Sequence, residues 1–142
     1  MRYFSTLLIS LFIFSCGTET EHDTKKEIIS TWPNGKAKVE HVYLRADTIK
    51  VINYNISGRI KTEGKMFGEI REGKWTSYYP SGKKWSLNNF KGGEKHGEYK
   101  TWHPNEQLNI SGFYSMGAST GEWMFYDSTG VLTKQYDVTP QH

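Results

Sequence analysis

The chain has 142 residues, of which 23% are charged and 15% aromatic, with a formal net charge of +3 and a mean hydropathy of −0.67. A length of this order suits one domain, and a charge this close to neutral excludes the basic character on which nucleic-acid binding rests. The aromatic content excludes a disordered chain, and a single cysteine excludes an intrachain disulfide framework.

At the N-terminus, Arg2 is followed by a largely apolar run of nine residues from Thr6 to Phe14. That run falls far short of the roughly 20 residues that cross a bilayer, so it reads as the apolar core of a signal peptide rather than a permanent span. The next residues, Ile13-Phe14-Ser15-Cys16-Gly17, resemble the lipobox of bacterial lipoproteins. Ile13, Ser15 and Cys16 match that pattern, while Phe14 is bulkier than usual. The resemblance implies cleavage after residue 15 and lipidation of Cys16, the one cysteine in the chain. The processed chain would keep 127 residues and, having lost Arg2, a net charge of +2. Gly17, where an aspartate would imply retention at the inner membrane, implies the cell envelope's outer membrane by the same resemblance. Residues 16–28 are polar and mixed in charge at first, without apolar periodicity, and read as a tether.

From residue 29 to 138 the chain is periodic. Gly73-Lys-Trp-Thr-Ser-Tyr78, Gly97-Glu-Tyr-Lys-Thr-Trp102 and Gly121-Glu-Trp-Met-Phe-Tyr126 recur at 24 residues. Tyr54 stands one period before Tyr78, so a further copy begins near Ile49 although its glycine is missing. Turn formers recur as Gly58, Gly82, Glu106 and Gly130, and Trp32-Pro-Asn-Gly35-Lys supplies a leading half unit. A fixed short period means one unit copied and stacked.

Each unit reads as a hairpin. Lys74 to Tyr79 and Lys83 to Phe90 are rich in aromatic and β-branched residues and flank a Pro-Ser-Gly turn, with Gly92 to Gly97 as the turn to the next unit. No stretch has helical periodicity. The expected fold is therefore all-β, a repeat-built antiparallel single-layer meander of stacked β-hairpins, roughly 40 Å across at about 4.8 Å per strand. Residues 139–142 are left as a tail. Alternation sorts the faces: Val51, Trp75, Tyr99 and Trp123 form one ladder, and Tyr54, Tyr78, Trp102 and Tyr126 the opposite one.

The phrase Gly-[Lys/Glu]-[Trp/Tyr] followed by Tyr or Trp at its sixth position, with Lys95-His96-Gly97 ahead of a strand, resembles the MORN-variant repeat of bacterial proteins. Glu106 departs from the turn glycine, and the first complete unit lacks its opening glycine. Some proteins carrying this repeat are labelled antitoxin components of toxin–antitoxin systems, which implies neutralisation of a toxin by direct binding and brings no catalytic motif.

The residues themselves offer no chemistry. His22, His41, His96, His103 and His142 lie at no metal-ligand spacing, and Cys16 is committed to the lipid. Glu94, Glu98 and Glu122 follow the repeat and read as solvated charges rather than a general acid and base. The glycines are turn glycines, not a phosphate cradle. The expectation is a non-enzymatic envelope lipoprotein with no cofactor and no metal, held at the membrane by its lipid and acting as a protein-binding scaffold. Envelope glycan is the other binding class that aromatic ladders suit. The candidate binding face is Tyr54, Tyr78, Trp102 and Tyr126, because rigid aromatic side chains give contact area at low entropic cost.

Overall fold

The computed structural model describes residues 24–45 and 48–138. The signal segment 1–15, Cys16, the tether as far as residue 23 and the tail 139–142 lie outside the described residues, as do His22 and His142. What is described contains no helix, and none is therefore long and apolar enough to cross a membrane.

One antiparallel sheet holds all the strands: β1 (Lys26–Thr31), β2 (Ala37–Arg45), β3 (Thr48–Tyr54), β4 (Ile60–Phe67), β5 (Ile70–Tyr78), β6 (Lys84–Lys91), β7 (Glu94–Lys95), β8 (Gly97–Trp102), β9 (Leu108–Ser115), β10 (Ala118–Tyr126) and β11 (Leu132–Val138). Strands pair in chain order, with β7 and β8 sharing the same flank of β6. The expected meander is what forms. β1 already opens at Lys26, so residues 26–28 belong to a strand and not to the tether.

Two kinds of hairpin alternate. The first kind turns through Asn55–Arg59, Tyr79–Lys83, His103–Gln107 and Asp127–Val131, where the fourth residue's N–H donates to the first residue's carbonyl at 2.8–3.0 Å. Its fourth residue has positive φ in every copy: Gly58 +89°, Gly82 +92°, Glu106 +72° and Gly130 +88°. The strand leaving each of these turns carries one extra residue, namely Lys61, Trp85, Asn109 and Thr133. A bulge of this sort bends the strand and re-aims the extra side chain.

The second kind is tighter than the sequence suggests. β6 and β7 join through Gly92 and Gly93 alone, with Lys91 facing Glu94. The opening glycine of each repeated phrase therefore does not lie in the turn. Gly73, Gly97 and Gly121 sit inside the pairing, with φ of +64°, +98° and +61°, where two extra residues interrupt the ladder. Ile49 occupies the equivalent place in β3, and there the ladder runs from Thr48–Phe67 to Asn53–Thr62 without interruption. Where the glycine is absent, so is the bulge.

Among the described residues no second layer covers the sheet, and the main contacts between strands run between sheet neighbours. Burial comes from side chains lying flat over their neighbours. Val51, Trp75 and Trp123 are buried on one face, here called the tryptophan face, and Val42, Ile52 and Leu87 on the other, the tyrosine face.

Candidate functional site

Tyr54, Tyr78, Trp102 and Tyr126 lie on one face at repeat-equivalent places on β3, β5, β8 and β10. Each is half-buried, and each is engaged within the sheet. The Tyr54 hydroxyl donates to Glu40 Oε2 at 2.9 Å, and the Tyr78 hydroxyl to Glu63 Oε1 at 2.6 Å. Burial first, and then the carboxylate that accepts the hydroxyl proton, raise both phenols to about 12. Burial alone would raise Glu63, but hydrogen bonds from Lys50 and Tyr78 outweigh it and hold the carboxyl below its usual range. The Tyr126 hydroxyl meets Met124 Sδ at 3.2 Å, and Lys84 Nζ stands 5.2 Å from the Trp102 ring centre. Much of this ladder is thus occupied in tying the sheet together.

The opposite ladder is more deeply packed. Trp75 and Trp123 are 7% and 5% exposed, and Tyr99 packs on Trp123 with ring centres 5.6 Å apart. Tyr114 meets both Tyr99 and Trp123 edge-on.

A further surface lies along the row of turns. There a cleft of about 570 Å³ is lined by Trp32, Asn55, Ile56, Lys61, Tyr78, Tyr79, Pro80 and Trp85. Its walls are held by bonds from one turn to the next. The Trp32 indole donates to the Tyr54 carbonyl at 3.2 Å, the Tyr79 hydroxyl to the Trp102 carbonyl at 2.7 Å, and the Arg59 guanidinium to the Pro80 carbonyl at 2.9 Å. His103 joins the same series through its ring nitrogen, 2.9 Å from the Tyr126 carbonyl, as a turn-row residue.

Ile56 and Trp85 remain 57% and 50% exposed in this cleft, although both are large and apolar. The physical cause is local. Trp85 is the extra residue of its bulge, so it leaves the alternation that would place it on either ladder. Sequence reasoning missed it for that reason. The available signal was its repeat register, since Lys61, Asn109 and Thr133 hold the equivalent position and only here is it aromatic.

The remaining candidates stay apart. His96 sits between β7 and β8, where its Nδ1 lies 3.4 Å from the Met116 N–H. Glu98 and Glu122 lie on β8 and β10, inside the sheet rather than at its edge. Among the described residues, no group of three histidines, cysteines or acids is placed to hold a metal.

No curated protein and no solved structure matches the chain. Residues 71–91 and 95–115, which hold β5–β6 and β7–β9 and begin one 24-residue period apart, match the family described as MORN repeat variant.

Proposed function

We propose that this protein is a non-enzymatic envelope lipoprotein, anchored through Cys16, whose repeat sheet holds a protein partner at the turn-row cleft. One observation carries the binding reading: Ile56 and Trp85, large apolar side chains about half exposed, both line a preformed cleft of about 570 Å³. An apolar cleft with a few fixed polar groups at its rim is the usual form of a binding site, and tryptophan and tyrosine dominate the energetics of protein interfaces. The repeat supports the same reading, because stacked units build a long rigid surface from a short chain.

The test is photo-crosslinking in intact cells. A reactive side chain placed at Ile56 should capture a defined protein, and Trp85→Ala should reduce that capture at least about tenfold, as loss of an interface anchor does. The same probe at Lys74, on the tyrosine face, should not capture it. Equal capture from both positions, or none from Ile56, overturns the assignment. An immunity role is the special case in which the captured partner is a toxin.

A further inference from the structure

The two faces of the sheet differ in charge. Following the paired residues from β2 to β11, the rows that carry Trp75, Ser77 and Phe90 contain no aspartate or glutamate, and the acid that joins them, Glu27 opposite His41, lies on β1 at the sheet's first edge. Glu40, Glu63, Glu98 and Glu122 all fall in rows of the tyrosine face, where Lys50 and Lys100 pair with Glu63 and Glu98 at 2.7 and 2.5 Å. On the tryptophan face the cations Arg71 and Lys95 have no acidic partner among the described residues. Each is held over aromatic rings instead. The Arg71 guanidinium lies 4.5 Å from the Trp75 ring centre and 5.4 Å from that of Phe90, and Lys95 Nζ lies 5.2 and 4.7 Å from those of Tyr99 and Tyr114. They are one period apart, so their spacing is set by the repeat.

Beside these cations runs a trough of about 350 Å³. Its floor is a single cross-strand row, Thr62–Ser77–Ser86–Thr101, each directly opposite the next. At about 4.8 Å per strand the row extends roughly 14 Å. Every member carries a hydroxyl. Ser86 and Thr101 are more than nine-tenths buried, and the Thr101 hydroxyl has no hydrogen-bond partner among the described residues. A buried polar group without a partner is costly, and a trough floored by hydroxyls favours a ligand rich in hydrogen-bonding groups over an apolar one. Trp85 also lines the trough.

We infer that this trough binds an oligosaccharide bearing carboxylates. The hydroxyl floor suits sugar hydroxyls, the exposed Trp85 ring offers a stacking platform, and Arg71 and Lys95 supply the positive charge that a carboxylate requires. Guanidinium binds carboxylate through paired hydrogen bonds, and the rows of this face that cross β4–β8 carry no acid to cancel that attraction. An acidic peptide shares the charge but fits less well. Lying across β4–β8, it would meet strands already paired on both sides, and its own backbone groups would find no sheet edge to join.

The test is calorimetric titration of the full chain in detergent with short oligogalacturonate. Its methyl-esterified form, which keeps the sugar and loses the charge, and a glutamate peptide of equal charge serve as comparators. The oligogalacturonate should bind with salt-dependent affinity, at least about tenfold tighter than either comparator, a difference of about 1.4 kcal/mol. Arg71→Gln with Lys95→Gln should weaken binding at least about tenfold, while Lys65→Gln with Lys74→Gln, an equal charge change on the tyrosine face, should leave it within about twofold. Circular dichroism of both double variants establishes that they are folded. No binding, equal binding of the esterified sugar, or equal loss in the two double variants overturns the carbohydrate site. Equal binding of the glutamate peptide overturns it in favour of an acidic protein ligand.

Discussion

Gly64 on β4 stands directly opposite Trp75 on β5, and the indole covers it so closely that a Cβ on Gly64 would lie 2.2 Å from the ring. Gly112 and Trp123 repeat the arrangement, at 2.4 Å. The indole crosses its neighbour strand, and Trp75 Nε1 donates to the Lys65 carbonyl at 2.9 Å. In a sheet without a covering layer, a flat ring over a bare backbone is how an interior is made.

Gly64→Ala should therefore displace the indole and cost about 1–3 kcal/mol, the usual range for overpacking. Trp75→Ala should cost about 3–5 kcal/mol by removing the ring. Since both changes act on one contact, Gly64→Ala with Trp75→Leu should cost clearly less than the sum of its single variants in urea unfolding. Strict additivity would show that the ring does not depend on the glycine.

Glu106 is the one turn-closing residue of its series that is not glycine, at a φ of +72°. A side chain in that region costs about 1–2 kcal/mol, partly offset because glycine loses more backbone freedom on folding. Its bond to Lys83, at 3.3 Å, joins two exposed side chains and contributes little. Glu106→Gly should raise stability by about 0.5–1 kcal/mol and leave the hairpin unchanged. A fall in stability on thermal unfolding would assign real weight to the Lys83 pair.

The period made the architecture legible because a 24-residue repeat with alternation fixes strand number, order and face together. What it concealed is local. The sequence reads a strand from Lys74, yet the chain is already paired from Ile70, and Gly73 serves a bulge that only pairing reveals. The Tyr54–Tyr126 ladder was readable as one face, but its ties to Glu40 and Glu63 depend on register between strands. Trp85 escaped because a bulge breaks the rule by which strand residues are assigned to faces. The acid-free stretch of the tryptophan face across β4–β8 was present in the sequence all along. It becomes visible only when each strand's register is known.

The Tyr78–Glu63 bond predicts the response to pH at both extremes. With its folded value raised to about 12 from 10.0, Tyr78 contributes stability that is complete below pH 10 and is lost as the pH rises towards 12, and Tyr54 behaves alike. Glu63 is shifted the other way. Its contribution is present above its unfolded value of 4.5 and is lost as the pH falls through the lower folded value. Glu63→Gln should flatten the acid limb and bring the Tyr78 phenol down towards 10, because the carboxylate that opposes its ionisation is gone. Proton resonance titration of the assigned tyrosine rings separates Tyr78 from the rest. An unmoved Tyr78 midpoint in Glu63→Gln would mean that burial alone holds the phenol up, and that the hydrogen bond to Glu63 contributes nothing to the tyrosine face.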